Sequence, residues 1–277
     1  DSFVYPQFGF KFNGKKLMLS KIGEVNIKLH RPIDGVIKTC TLRRDVDRWY
    51  ACFTVETNSM VEKKEVRKAV GVDVGLSSLV TLSTGKKIAP PKFLHMSREK
   101  LAREQCRLSR KKKGSKNGLK QRIKVAKLHR EIRNQRADFN HKLSRMLVDY
   151  YDLIAFEDLR IKNMLKNHHL AKNIADASWN QLQSFTSYKA EEAGKYVDFA
   201  VANGTSQECS NCGAVMKLSL ADRIFRCNSC GFVIDRDHNS AINILKRVGQ
   251  GLPDFKPIGE VPLGISMNQE ATRQVGW

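Results

Sequence analysis

No stretch of this 277-residue chain carries an unbroken run of eighteen apolar side chains, so nothing in it reads as a membrane-spanning helix. Its start has no basic, apolar and small-residue pattern of a secretion signal, and it opens with Asp1 rather than Met, as expected of a chain lacking its own N-terminus. Acids are scarce. Twenty-eight Asp and Glu face 49 Lys and Arg, a net charge of +21, which together with the lack of a long apolar run points to a polyphosphate, and so to nucleic acid rather than membrane. Seven cysteines are an odd number. Four of them group by spacing, while Cys40, Cys52 and Cys106 read as reduced thiols, which fits a reducing cytosol. The length suffices for one large or two modest domains with real cores.

The four grouped cysteines are Cys209-x-x-Cys212 and Cys227-x-x-Cys230, two knuckles fourteen residues apart. A short hairpin between them brings four thiolates around one zinc ion. Gly213 and Gly231 each follow a second cysteine, where a knuckle requires positive φ. A closed four-cysteine shell leaves no position for water, so this zinc is structural and catalysis must come from elsewhere. The acids Asp235 and Asp237 follow at once, with Asn239 and Asn243 behind them on a run of helical apolar spacing. Asp237 near the helix start reads either as a capping aspartate or as a functional acid.

Residues 1–60 alternate apolar and polar over Lys16–Leu19, Val25–Leu29, Val36–Thr39 and Trp49–Val55, the pattern of a small barrel or meander. His30 and Arg31 end one of these runs, either meeting a phosphate or simply solvated. Lys68 to Val80 is an apolar strand interrupted by Asp73. A buried strand does not keep an unpaired carboxylate cheaply, so Asp73 is either satisfied by turn amides or binds a cation with other oxygens. Short strands across 79–82 and 87–89 follow. From Arg98 to Arg145 there are eighteen basic residues and four acids, a net of +14. This reads as two helices joined by a loop at 111–118, with Leu119, Ile123, Ala126, Leu128 and Ile132 on an apolar stripe. Arg107, Arg110, Lys111, Lys112, Lys113, Lys116, Lys120, Lys124 and Lys127 are candidate nucleic-acid contacts, the alternative being a solvated hairpin. Tyr151 to Leu159 is a second apolar strand, ending in Glu157 and Asp158. A helix over 176–192, with Trp179, Leu182, Phe185 and Tyr188 read as core, and a strand over 197–201 complete the chain before the knuckles.

The order strand, hairpin strands, helices, strand, helix, strand, helix is that of an RNase H-like α/β domain with insertions. There the first and fourth strands are neighbours and the last helix crosses them, so Asp73, Glu157 and Asp237 converge. Clustered carboxylates repel unless divalent cations neutralise them. GVDVGL, FEDLRIKN, TSQECSNCG, CNSCG and DRDHNSAINIL, with KIGEVNIKLHR and LSRKKKGSKN, resemble TnpB, a family of transposon-encoded RNA-guided DNA nucleases related to type V CRISPR effectors. The resemblance runs from about residue 5 to the end.

It implies a β-rich wedge domain, partial over 1–66, and a RuvC-like nuclease domain over 67–204 with its basic helical hairpin at 97–150. A zinc ribbon follows over 205–233, then the end of the nuclease domain over 234–248 and a flexible tail over 249–277. Asp73, Glu157 and Asp237 match the three acids, with Asp235 the alternative third; they hold two magnesium or manganese ions. The implied partners are a guide RNA from a transposon end and double-stranded target DNA, in a prokaryotic cytosol. Family members carry further residues upstream, for wedge strands and a recognition module, with no equivalent before Asp1. Two competing readings are a regulator that binds without cutting and a transposase acting without RNA.

Overall fold

The computed structural model describes residues 2–13, 15–57, 61–91, 93–159, 178–219 and 222–250. The chain divides into two compact units, one of residues 1–63, 91–146 and 180–194, the other of 64–90, 147–179 and 195–277.

The first unit begins with six strands, β1 (Ser2–Pro6), β2 (Phe10–Asn13), β3 (Lys16–Leu19), β4 (Gly23–Asn26), β5 (Val36–Asp45) and β6 (Arg48–Glu56). They form two three-stranded antiparallel sheets, ordered β1-β5-β6 and β2-β3-β4. Alternation decides which side chains turn inward: Leu17 and Leu19 of β3 are buried with Cys40, packed against Phe10, Phe12 and Phe53. The sequence reading missed β1 and β2, whose short runs SFVYP and FKFN are separated by Gly9.

Helices α1 (Phe93–Ser109), most of α2 (Lys116–Tyr150) and most of α3 (Trp179–Glu192) belong to the same unit. The loop expected at 111–118 is shorter. Ser115 Oγ accepts the Gly118 N–H at 3.0 Å, a cap that starts α2 at Lys116. In its first half the buried face of α2 is Gln121, Val125, Leu128 and Ile132, whereas Leu119 and Ile123 are exposed; Leu143, Leu147 and Val148 continue the burial toward its end. Gln121 joins that face because its amide is satisfied by the carbonyl and side chain of Glu104 on α1. On α3, Trp179 and Leu182 are core as expected and Tyr188 is exposed.

The second unit holds a five-stranded sheet in the order β11-β10-β7-β8-β9. Its strands are β7 (Ala69–Val74), β8 (Val80–Leu82), β9 (Lys87–Ile88), β10 (Leu153–Asp158) and β11 (Tyr196–Val201). β10 runs parallel to both β7 and β11, and β8 and β9 run antiparallel. The first and fourth strands of the unit are thus neighbours, as the element order required. Val70, Val72, Leu153, Ile154, Ala155 and Phe156 are fully or almost fully buried, the near-continuous apolar run of strands covered on both faces.

Helix α4 (Arg236–Gly249) lies directly on β7 and β10, burying Ile244, Leu245 and Val248 against Leu153, Ala155 and Ala200. Gly71 permits this approach: a Cβ there would stand 2.0 Å from the Ala241 carbonyl oxygen. Between β11 and α4 a small hairpin, β12 (Ile224–Arg226) with β13 (Val233–Asp235), carries Cys227 and Cys230, and a turn closed by the Glu208–Val215 bridge before it carries Cys209 and Cys212. The tail expected at 249–277 lies outside the described residues, apart from Gly249, which closes α4, and Gln250, which caps it. Among the described residues no helix is long and apolar enough to cross a membrane.

Candidate functional site

Asp73 is the penultimate residue of β7 and Glu157 the penultimate residue of β10. Val72 and Phe156 are registered partners on these parallel strands, so the two acids follow one step on, side by side at the carboxyl ends. Asp235 and Asp237 come from the junction of β13 and α4. Asp235 is the N-cap: its backbone is extended, and its Oδ1 accepts the N–H groups of Asp237 and His238, each at 3.1 Å. Its Oδ2 pairs with Lys87 of β9 at 2.7 Å. The capping role considered for Asp237 thus belongs to Asp235, and Asp237 occupies the first turn. Burial opposes ionisation of Asp235, but the Lys87 ammonium and the two amides outweigh it and hold its carboxyl below the usual range.

Asp73 has the opposite environment. Burial, then Glu157, then Asp237 push its carboxyl up to about 8, against a hydrogen bond from Ser240 and the charge of Arg236. Burial also raises Glu157, opposed by Thr205 and Arg247. A hydroxyl from the crossing helix, not a turn amide, bonds Asp73. Ser240 Oγ, on α4, lies 3.1 Å from Asp73 Oδ1 and 3.2 Å from Thr205 Oγ1, and Thr205 donates to Glu157 Oε1 at 2.8 Å.

The cysteines form the second centre. Gly213 at φ 79° and Gly231 at φ 72° are in the left-handed region, as the knuckles required. Each knuckle repeats the same bonds: Gly213 N–H to Cys209 O and Gly231 N–H to Cys227 O, both 2.9 Å. The ligand atoms of Cys209, Cys212, Cys227 and Cys230 all lie within 4.8 Å of one another, the one such group among the described residues. Sγ separations are 3.8 Å for Cys209 to Cys230 and 3.5 Å for Cys212 to Cys227. A tetrahedron with arms of ~2.3 Å has edges of about 3.8 Å, so the cluster fits a metal ion such as zinc. The Phe232 amide and Asn211 pull the Cys230 thiol down to about 6, toward the thiolate a metal needs.

One face of α4 fastens this hairpin to the acids. Asn239 Oδ1 accepts the Ser210 N–H at 2.9 Å and its Nδ2 donates to Glu208 O at 2.7 Å. Asn243 Nδ2 donates to Thr205 O and Glu208 O, at 2.9 and 2.7 Å. Lys246 donates to Ser210 O, and Arg247 to Val201 O and Asn203 O. Asn239 and Asn243 are both buried, and Asn239 uses both its amide oxygen and its amide nitrogen.

In the first unit the basic candidates divide. Lys111, Lys112 and Lys113 sit between α1 and α2, and Lys116, Lys120 and Lys124 are exposed on α2. Arg107 pairs with Glu104 at 2.5 Å and Lys127 with Asp47 at 2.7 Å. Arg130 also grips Asp47, at 2.7 Å, and Arg133 pairs with Asp45. The acids Asp45 and Asp47, from the β5–β6 turn, thus neutralise part of the +14. His30 and Arg31 line a cavity of about 1080 Å³ together with Leu17, Leu19, Trp49 and Phe53.

Sequence reasoning gave no role to Gly71, Thr205 or Ser240. A glycine inside an apolar strand was the available signal for Gly71. The two hydroxyls had none, since single Ser and Thr residues make no pattern.

A mixed α/β fold with this layout is found in solved structures. A cryo-EM structure of a Cas12f1–sgRNA–target DNA complex matches with TM-score 0.51 at 16% identity, over 74% of this chain and 55% of that one. A CRISPR-Cas12f ternary complex gives TM-score 0.53 at 17% identity, over 81% and 47%. The fold class is therefore that of these effector proteins. Two family models match: OrfB_IS605, a probable transposase, over residues 51–168, and the Cas12f1-like TNB domain over 179–244. A putative RNA-guided DNA endonuclease of Streptomyces pristinaespiralis is 40% identical over 87% of this chain and 61% of its own length. The putative RNA-guided DNA endonuclease InsQ of Escherichia coli K12 is 32% identical over 88% and 65%. Cas12f1 of Sulfoacidibacillus thermotolerans, at 27% identity over 72% and 50%, is more distant. The chain thus carries matches to the OrfB_IS605 and Cas12f1-like TNB domain models and is similar to TnpB-like proteins and putative RNA-guided DNA endonucleases. It spans less than two thirds of the length of these curated relatives.

Proposed function

We propose that this chain carries the nuclease centre of an RNA-guided DNA endonuclease of a transposable element. The observation that carries the reading is the placement of Asp73 and Glu157 on neighbouring parallel strands with Asp237 on the crossing helix, where burial first, and then the charges of Glu157 and Asp237, push the Asp73 carboxyl up to about 8. The strand order supports an RNase H-like, RuvC-type domain, with the knuckle hairpin as an inserted zinc ribbon and residues 1–66 as part of a wedge. The names of the relatives at 40% and 32% identity support the RNA-guided activity.

Three carboxylates suit hard divalent cations, magnesium or manganese. Two such ions bound there would supply an activated water and charge stabilisation at the leaving 3′ oxygen. The chain's own contribution is to present the acids on rigid elements: two strand ends fixed by the sheet, and a helix start fixed by the Asp235 cap and its Lys87 pair. Zinc at the four cysteines is structural. Arg110, Lys111, Lys112, Lys113, Lys116, Lys120 and Lys124 track backbone phosphate, while the pairs held by Arg107 and Lys127 compete with that role. Guide pairing would read sequence while these cations read charge and shape. A guide RNA from a transposon end and double-stranded target DNA are the partners this reading requires.

The test is cleavage of target DNA in magnesium by protein purified with the transcript of its own genomic flank. Cleavage that needs the RNA and is lost in Asp73→Ala, Glu157→Ala and Asp237→Ala supports the reading. Strand transfer without RNA would instead indicate a guide-free transposase, and bound RNA with no cleavage a binding regulator.

A further inference from the structure

We propose that Ser240 and Thr205 are positioning residues for the carboxylate centre, holding Asp73 and Glu157 in fixed orientation through a bridge of two hydroxyls. The inference rests on the reading of the acids just given. The two residues come from separate elements, α4 and the loop after β11, and meet with Oγ atoms 3.2 Å apart. Both are almost fully buried, each at 3% exposure.

A buried hydroxyl on a helix ordinarily bonds back to a carbonyl one turn earlier. Elsewhere in this protein that is what such residues do: Thr186 donates to Leu182 O at 2.8 Å, Ser187 to Gln183 O at 3.0 Å and Ser144 to His141 O at 3.1 Å. Ser240 instead reaches across 167 residues of chain to Asp73 Oδ1. Thr205 does not bond within its own loop but donates to Glu157 Oε1. Its main chain is itself anchored, since Asn243 donates to its carbonyl at 2.9 Å.

The consequence is geometric. Asp73 and Glu157 carry like charge on adjacent strands, and two unrestrained carboxylates would rotate their oxygens apart. Engaging Oδ1 of one and Oε1 of the other through a common bridge fixes the plane of each carboxylate. Side chains that orient metal ligands in this way typically change affinity or activity by 10–100-fold when removed.

The experiment uses the full chain and Mn²⁺ alone, with binding followed by electron paramagnetic resonance, and separately the guided cleavage assay. Asp73→Asn sets the reference for loss of the acid itself. Ser240→Ala and Thr205→Val are each expected to weaken Mn²⁺ binding on the order of tenfold, with kcat lowered and KM for target DNA unchanged. Thr205→Ser keeps the hydroxyl and is expected to restore both. Zinc content and thermal melting check that the variants fold, and the Thr205→Val and Thr205→Ser pair carries the test should Ser240→Ala not fold. Wild-type Mn²⁺ affinity in Ser240→Ala and Thr205→Val, beside a loss in Asp73→Asn, overturns the bridge alone. Unchanged Mn²⁺ binding in Asp73→Asn overturns the reading of the acids, and the bridge with it.

Discussion

Asp235 Oδ1 accepts the backbone N–H of Asp237 at 3.1 Å, so two acids one residue apart have different tasks. The first is spent on capping a helix and holding Lys87, which leaves the second to face Asp73. Asp235→Ala is therefore expected to cost about 1 kcal/mol of stability, the worth of a lost cap, and to retain cleavage. Asp237→Ala should keep its fold and its guide binding and lose cleavage by a factor of a hundred or more, since a lost charge-stabilising ligand forfeits several kcal/mol. The reverse pattern in a cleavage assay on the two variants would exchange their roles.

The raised Asp73 carboxyl gives the metal-free protein a pH dependence of definite sign. Between the ordinary carboxylate value, about 4, and its folded value of about 8, the folded state holds a proton that the unfolded state has released. Stability then falls as pH rises through that window. Asp73→Asn should flatten the dependence and melt several degrees above wild type at pH 8 without metal, at roughly 2–4 °C per kcal/mol. Saturating Mg²⁺ should reverse the order, stabilising wild type and not the variant. Mg²⁺ binding near pH 7 should also release close to one proton per chain, read by calorimetry in buffers of different ionisation enthalpy.

Gly71 is where helix and sheet touch without intervening side chains. Gly71→Ala would drive a methyl into the Ala241 carbonyl, 2.0 Å away, and Leu245 Cβ, 2.9 Å away. Both contacts are on a helix that cannot yield locally, so overpacking should cost roughly 3 kcal/mol or more. Denaturant unfolding measures it, and a loss below about 0.5 kcal/mol would mean that α4 sits further from β7 than described.

Zinc analysis should find about one ion per chain. Cys209→Ser or Cys227→Ser should lose it and unfold the hairpin core of Phe225, Met216, Leu218 and Phe232. Because Asn239 holds the Ser210 amide beside the first knuckle, that loss should reach Asp237 and lower cleavage. Full activity in protein stripped of zinc would separate the two centres.

Neutralising Arg110, Lys111, Lys112 and Lys113 together should weaken RNA or heteroduplex binding and flatten its salt dependence, because fewer counterions are released. Neutralising Lys127 and Arg130 should act differently: both are paired with Asp47, so the change should appear in thermal stability more than in the salt slope.

The knuckles were legible because cysteine spacing and the following glycines express one local geometry, and the phenomenon ends within a few residues of chain. Strands β7 and β10 were legible because apolar runs broken by a single acid are rare in polar surroundings. Which of Asp235 and Asp237 caps the helix was not, since either residue of an Asp-Arg-Asp run can begin a helix, and it is the extended backbone at Asp235 that makes it the cap. Nor was the pairing of Lys127, Arg130 and Arg133 with Asp45 and Asp47, which a fold joins across eighty residues or more. Ser240 and Thr205 share that fate: a lone hydroxyl has meaning only beside its partner. Leu119 and Ile123 misled for the converse reason, since they continue an apolar stripe that the packing of α2 ends at Gln121.

The grip of α4 on the loop before the first knuckle is asymmetric in what each side demands of its gene. Its donors are side chains, Asn239, Asn243, Lys246 and Arg247, whereas their acceptors are main-chain carbonyls, of Val201, Asn203, Thr205, Glu208 and Ser210, with the Glu208 carboxylate, paired with Arg247, the exception. A carbonyl is the same whatever side chain it bears. Codons for Val201 and Asn203, whose side chains are exposed, are thus free to drift while the helix codons are not, and variation tolerated along the loop should coexist with intolerance only one helix away.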